Sequence, residues 1–318
     1  MPLPEKAFIR RIRLHAGLAP GIIGIGDDCA SVRIPPGHEV LITTDFSLEG
    51  VHFVRKMQPA ASIGHRCLLR GLSDIAAMGG IPLAAFLSLA LPGRLPQAWT
   101  DEFLRGLLDL ARAFKVTLAG GDTTKSPGKI LADIVVLGSV PKGKAILRSG
   151  AKPGDRIYVT GSLGGAATTL RMLLKGDTKS IPSKDLDNYS YPTPRIEAGR
   201  ILRENGLASS MIDISDGLST DLSHICEESG VGAEITADVV PRARHGKSRR
   251  EVELHSALHG GEDYELLFTA SGSKRVPTLI ANVPVTEIGR IVRGRVISLK
   301  TGSETQRLNS KGWEHFRK

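Results

Sequence analysis

"EVLITTDFSLEGVHF", Glu39 to Phe53, is the stretch from which the rest of the chain is read. Val40, Leu41 and Ile42 form a short apolar run with strand-favouring side chains. The pattern predicts that the strand ends at Thr43, Thr44 and Asp45 and opens into a polar loop carrying Glu49 and His52. A strand that delivers hydroxyls and a carboxylate at its end suits a hard metal ion held on a rigid scaffold. Taken alone, Asp45 reads equally well as the cap of a turn. The pattern recurs, however. Asp27 and Asp28 follow "GIIGIG", Asp122 follows "VTLAGG", and Asp213 and Asp216 punctuate "SMIDISDG". Carboxylates gathered beside apolar strands repel one another unless cations lie between them. The expectation is a set of strands and helices that carries aspartates to one site holding several cations.

Composition sets the limits around that site. The 318 residues are enough for two domains with substantial cores. Aromatics make up only 4%, so those cores must be built from Ala, Leu, Ile and Val. The net charge of +9 favours anionic partners, from nucleic acid to phosphorylated small molecules. Only "PRARHGKSRR", Pro241 to Arg250, is densely basic, and it is expected as a solvated loop. Cys29, Cys67 and Cys226 are widely spaced without a CxxC, which argues against structural zinc or disulfides and fits a reducing cytoplasm. The N-terminal "MPLPEKAFIRRIRLHAGLAP" lacks the apolar core of a secretory signal, and no run reaches membrane-spanning length.

Periodicity predicts helices over Phe8 to His15, Pro59 to Met78, Gln97 to Lys115 and Arg195 to Glu204. Strands are expected at Pro82 to Pro92, then at Val116 to Ala119 and Ile130 to Val140 around a Gly-Gly-Asp loop. Further strands are expected at Glu265 to Ala270, Thr286 to Val292 and Val296 to Lys300. Gly176 to Pro194 reads as a polar surface excursion. A boundary falls near Pro141 to Pro153. The irregular alternation points to an α+β (mixed α/β) fold rather than one long parallel sheet.

Two glycine motifs invite a phosphate-binding reading. "GSVPKGKA", Gly138 to Ala145, nearly spells a P-loop, but Ala145 stands where the magnesium-binding hydroxyl belongs. The P-loop is rejected. "GSLGG", Gly161 to Gly165, has the form of a helix N-terminus, and as a lone glycine turn it reads better as packing. Carboxylates and hydroxyls with almost no His or Cys indicate Mg²⁺, Mn²⁺ or Ca²⁺ rather than zinc, and no EF-hand spacing is present. A basic chain with an acidic metal-binding focus suits phosphate substrates.

At this point the motifs form a recognisable series. "GIGDDCA", "TTDFSLEGVHF", "LSDIAAMGG", "GGDTTKS", "LRSGAKPGD", "IDISDGLSTDL" and "GGEDYELLFT" resemble, in kind and in order, those of thiamine-monophosphate kinases. That family belongs to the superfamily of aminoimidazole ribonucleotide synthetase, selenophosphate synthetase and a hydrogenase maturation factor. The resemblance runs from about Gly24 to "KGWEHF". Gly71 departs from the family's Asn before "LSD", and Lys125 stands where Arg follows "GGDTT", keeping a cation but losing its bidentate fork.

The resemblance implies ATP-dependent conversion of thiamine monophosphate to thiamine diphosphate, with several Mg²⁺ ions and ATP as co-substrate. It implies an N-terminal metal/ATP-binding and dimerisation domain over 1–145, and a C-terminal α+β domain over 146–318 that completes the active-site cleft. Carried over by motif, Asp28, Thr43, Thr44, Asp45, Asp74, Asp122, Asp213 and Asp216 would be metal ligands. Asp45, Asp122 and Asp216 would be central to catalysis. Gly121, Asp122, Arg148 and Ser215 would contact ATP, while His52, Glu262 and Trp313 would contact the thiamine side. The expected enzyme is a cytoplasmic homodimer with no nucleic-acid or membrane partner. Its nearest alternative is another ATP-using member of the superfamily. A basic nucleic-acid-binding protein is the alternative from a different class, against which stand the sparse aromatics and the lack of any binding module.

Overall fold

The strand that starts at Val40–Ile42 does not end at Thr43. In the computed structural model, which describes residues 2–17, 20–26, 28–313 and 316, it runs unbroken from His38 to Leu48. Asp27 and the tail residues Glu314 and His315 lie outside the described residues. The chain divides into two compact units between Gly143 and Lys144, the short segment Ala76–Gly79 going with the second.

The first unit contains α1 (Glu5–Ala16), β1 (His38–Leu48), α2 (Ala60–Ala77), β2 (Ile81–Pro92), α3 (Gln97–Ala113), β3 (Thr117–Ser126) and β4 (Leu131–Pro141). Its sheet has the order β1-β4-β2-β3, with β2 and β3 parallel and the other pairs antiparallel. β1 is long because β4 matches it residue for residue, from His38 opposite Pro141 to Leu48 opposite Leu131. The polar residues that read as a loop are therefore strand residues with ladder partners. β3 likewise continues through Gly120, Gly121 and Asp122 to Ser126, because β2 pairs alongside as far as Pro92. The Gly-Gly-Asp loop expected there is strand.

Side chains on a strand alternate between faces. On β1, Leu41 and Ser47 are buried while Val40, Ile42 and Phe46 are exposed on the other face. α2 covers the first face so closely that a Cβ on Gly71 would meet Val136 Cγ2 at 2.5 Å and Thr43 Cγ2 at 3.4 Å. The missing side chain at Gly71 is thus what lets the helix approach the sheet.

The second unit contains β5 (Arg156–Thr160), α4 (Gly165–Leu174), α5 (Ser183–Ser190), α6 (Ile196–Glu204), β6 (Ser210–Ile214), α7 (Leu218–Ser229), β7 (Gly232–Thr236), α8 (Leu254–His259), β8 (Glu265–Ala270), β9 (Val283–Val292), β10 (Ile297–Thr301) and β11 (Glu304–Arg307). The sheet order is β11-β10-β7-β9-β5-β8-β6, with Leu279–Ile280 pairing onto β9. Only β10 and β7 run parallel, so the sheet is mixed. α7 packs Leu218, Leu222 and Ile225 into a core with Val159, Leu267 and Ile288, roughly 2 kcal/mol for each side chain removed from water.

Two surface expectations change. The Gly176 to Pro194 excursion contains α5, which buries Asp185, Tyr189 and Ser190. The basic cluster is a short hairpin rather than a loop, Arg244–His245 against Arg250–Glu251, with Arg244 and Lys247 to Arg250 exposed to solvent. It is tied down because Asp185 accepts hydrogen bonds from Gly246 N at 2.8 Å and Arg249 Nη1 at 2.7 Å, and Arg242 pairs with Glu251.

Candidate active site

In the first unit the candidate residues fall on two faces of one sheet. Thr43 and Asp45 share the face that α2 covers, and the Thr43 hydroxyl donates to the Asp74 carboxylate on that helix. Arg70, one turn before Asp74, donates from Nη1 to Phe46 O at 2.9 Å and to Ser47 Oγ at 2.8 Å, holding the end of β1. Burial pushes the nearby Cys67 thiol up to about 12, and the Asp45 carboxylate adds to that shift. Thr44 points to the opposite face, where its hydroxyl donates to Asp133 at 2.9 Å. Gly121 and Asp122 are exposed on β3, with Asp122 Oδ1 accepting from Thr123 N at 2.8 Å. Asp28 is exposed on the loop between the paired segments Ile22–Ile23 and Ser31–Val32. His52 closes the turn after β1, its Nδ1 accepting from Leu48 N at 3.0 Å.

In the second unit, sheet register brings the motifs together. β6 and β8 pair with Ile214 opposite Glu265. The chain leaving β6 and the chain entering β8 therefore meet at one sheet end. Glu262 N donates to Ser215 O at 2.8 Å, and Tyr264 N to Ile214 O at 2.9 Å. Both residues sit at positive φ, +69° and +52°. Such backbone costs about 1–3 kcal/mol per residue, persists where its surroundings over-determine it, and clusters at functional sites. Trp313 N donates to Asp216 O at 3.1 Å, so the C-terminal segment joins the same group. Asp213, Ser215, Asp216, Glu262 and Trp313 thus form one neighbourhood. Arg148 is exposed, and its carbonyl accepts from Ser229 Oγ at 3.1 Å.

Two carboxylates that the sequence reading passed over stand behind this group. Asp221 is buried and accepts from Asp216 N at 3.2 Å and Gly217 N at 3.0 Å, fixing the turn that presents Asp216. Burial first, then the charges of Asp213 and Asp216, hold its carboxyl well above the usual range. Asp263 accepts from Gly164 N at 2.7 Å and Ala166 N at 3.4 Å, occupying the N-terminus of α4 that "GSLGG" leads into. Burial pushes Asp263 up to about 7, against those two amides. An acidic residue four positions into a glycine-led helix was the available signal for Asp221. For Asp263 there was none, since its partners lie almost a hundred residues away.

The donors are hard oxygen atoms, as Mg²⁺ requires. Among the described residues no three His, Cys, Asp or Glu side chains converge into a cage. Mg²⁺ usually takes one or two carboxylates and completes its shell with water and substrate phosphate, so paired carboxylates fit it.

Residues 26–140 match the family model of the AIR synthase related protein N-terminal domain, and residues 152–301 that of its C-terminal domain. The thiamine-monophosphate kinase of Escherichia coli (strain K12) is 39% identical over 307 residues, 92% of either chain. The chain belongs to the thiamine-monophosphate kinase family. A crystal structure of the thiamine-monophosphate kinase from Stenotrophomonas maltophilia K279a matches with a TM-score of 0.82 at 35% identity, covering 94% of this chain and 98% of that one. A ThiL complexed with AMPPCP and TMP matches with a TM-score of 0.77 at 30% identity, covering 89% of each. For a thiamine-monophosphate kinase family member, the mixed α/β architecture of two AIR synthase related domains is the expected fold.

Proposed function

We propose that this chain transfers the γ-phosphoryl group of ATP to thiamine monophosphate, forming thiamine diphosphate and ADP. The observation that carries this reading is the end-to-end likeness to thiamine-monophosphate kinases. A related ThiL was solved with AMPPCP, an ATP mimic with carbon at the bridging position, together with TMP.

The donor set suits the chemistry. A phosphate monoester has a second pKa of about 6 and is mostly a dianion at neutral pH. Its oxygen attacks the γ-phosphorus, the bond to the ADP oxygen breaks, and no proton has to be removed. Such a site needs charge neutralisation and alignment rather than a base paired with a nucleophile. Mg²⁺, when bound, would supply the neutralisation at the transferring phosphate. Asp45 on the covered face of the first sheet and Asp74 on α2 would hold it together with Thr43, Asp122 and Asp28, and Asp213 and Asp216 would do so in the second unit. Thr44, with its hydroxyl on the other face, keeps its place in this set by resemblance alone. Gly121, Arg148 and Ser215 would contact ATP; His52, Glu262 and Trp313 would orient the thiamine side.

The open face of the first sheet supports a homodimer. Ile42 and Phe46 are 69% and 59% exposed there, beside Val40. A second copy of the chain would cover this apolar face. The described residues include no helix long and apolar enough to cross a membrane, and the proposed setting is the cytoplasm.

The test is direct. Purified protein with ATP, Mg²⁺ and thiamine monophosphate should yield thiamine diphosphate and ADP in equal amounts, and omission of Mg²⁺ should abolish both. ADP release without thiamine diphosphate would overturn the proposal.

A further inference from the structure

After β11 the ladder to β10 continues for one more residue, Leu308 N donating to Ile297 O at 2.9 Å, and the chain then runs along α7 toward its N-terminus. Ser310, Lys311, Gly312 and Trp313 are each fastened. Ser310 Oγ bonds Ser223 Oγ at 3.0 Å and Ser219 O at 3.4 Å. Lys311 N donates to Ser219 Oγ at 3.5 Å, Gly312 N to Thr220 Oγ1 at 3.1 Å, and Trp313 N to Asp216 O at 3.1 Å. Ser223 lies four residues after Ser219 and three after Thr220, so its hydroxyl neighbours both on the side of α7 that the tail crosses. Ser219 is itself held by His259 Nδ1 at 2.8 Å. The approach is too close for any side chain at residue 312, where a Cβ would fall 2.0 Å from Asp216 O and 2.6 Å from Thr220 Oγ1. The indole that follows is 55% exposed.

A segment with no helix or strand of its own must still satisfy its backbone amides. Here the Ser219 and Thr220 hydroxyls do so for Lys311 and Gly312, Ser223 holds the Ser310 hydroxyl, and together they fix where the tail crosses the Asp216 turn. We propose that Ser219, Thr220 and Ser223 are positioning residues for Trp313: they clamp Ser310–Gly312 along α7 and hold the indole beside the turn that carries Asp216. The inference rests on the reading of Trp313 as a thiamine-side contact and names the residues through which that contact is set. With the clamp released, Trp313 samples more positions, and the loss falls on the substrate it touches.

Trp99 and Trp313 are the two tryptophans of the chain. The Trp99 indole N–H has no hydrogen-bond partner, so Trp99→Phe provides a background in which fluorescence reports Trp313 alone. In that background Thr220→Val keeps the branched shape and removes the acceptor. It should raise the KM for thiamine monophosphate about three- to tenfold, the range of one lost hydrogen bond. The KM for ATP should stay within about twofold, and acrylamide should quench the indole more strongly. Thr220→Ser should restore both readouts, and Gly312→Ala should exceed Thr220→Val in the same direction. Trp313→Ala should raise the same KM about ten- to a hundredfold, the range of a lost stacking contact. If Trp313→Ala raises it while Thr220→Val leaves KM and quenching unchanged, the positioning role is overturned and the thiamine-side reading stands. If Trp313→Ala leaves it unchanged, both fall together. A uniform loss for both substrates with a lowered melting temperature, unrescued by Thr220→Ser, would mark Thr220 as structural and overturn the positioning role.

Discussion

At the scale of single residues, the carboxylates divide by what their neighbours do to them. Asp45 faces α2 beside the Thr43–Asp74 bond. On the proposed reading, removing its charge takes one electrostatic stabiliser from the transferring phosphate, a loss of roughly a hundredfold or more in turnover. Asp45→Asn should show that loss without a lower melting temperature, since one of several crowded negative charges has gone. Near-normal turnover at saturating Mg²⁺ would remove Asp45 from the metal set. Asp263 behaves differently because, half-buried at the N-terminus of α4, its folded pKa is raised to about 7 by burial. An unfolded Asp titrates near 3.9, so between these values the folded state binds the extra proton. That contribution to stability is complete at low pH and is lost as the pH rises from about 4 to about 7. Asp263→Asn keeps an acceptor for the α4 amides and cannot titrate. Thermal melts of both proteins across pH 4–8 should show the wild type losing ground to the variant as the pH rises, and a gap independent of pH would sink the account. Asp28, Asp45, Asp122, Asp213 and Asp216 stand out in the sequence because each accompanies a glycine turn or an apolar strand, while Asp74, on α2, is singled out by the motif resemblance alone. Asp263 was not legible, because the α4 amides it binds lie almost a hundred residues away, whereas Asp221 binds amides only four and five residues before it, a local signal.

At the scale of elements, the sequence shows where β1 and β3 begin better than where they end. Thr43 to Leu48 and Gly120 to Ser126 looked like loops because polar residues and glycines interrupt them. They are strands because β4 and β2 supply hydrogen-bonding partners along their whole length. Pairing partners distant in sequence outweigh local preference, as β propensity is mostly a statement about neighbours. The crossing of α2 and α3 shows the same rule for helices. A Cβ on Gly64 would lie 1.9 Å from Phe103 O, and one on Gly106 would lie 1.8 Å from Ala61 O. Helix propensity alone makes Gly→Ala stabilising by about 1 kcal/mol. Overpacking costs about 1–3 kcal/mol, and here the obstruction is rigid backbone on both sides. Sterics should therefore win, and Gly106→Ala should lower the melting temperature. A variant that melts higher than wild type would mean that the helices separate freely.

At the scale of the whole molecule, the mixed α/β class and the two-part organisation could be read from irregular alternation and one glycine- and proline-bearing stretch. The open apolar face of the first sheet could not, because Val40, Ile42 and Phe46 look like ordinary core residues until the strand's faces are known. Ile42→Glu places a charge in the middle of that face. If the proposed dimer forms through this face, the variant should sediment as a monomer in analytical ultracentrifugation where the wild type is a dimer, without lower secondary-structure content, whereas an unchanged mass would overturn the proposal that this face is an interface. The three thiols extend this contrast between covered and uncovered surface into reactivity. Cys67 and Cys226 are buried, each pushed up to about 12 mainly by burial, while Cys29 is exposed next to Asp28. Since the thiolate is the reactive species, a maleimide at neutral pH should modify one position in the folded chain and three after denaturation. The fold thereby supplies its own single-site handle: a dye on Cys29 would sit beside a proposed metal ligand, and its emission could follow ion and nucleotide binding in a protein with no engineered cysteine.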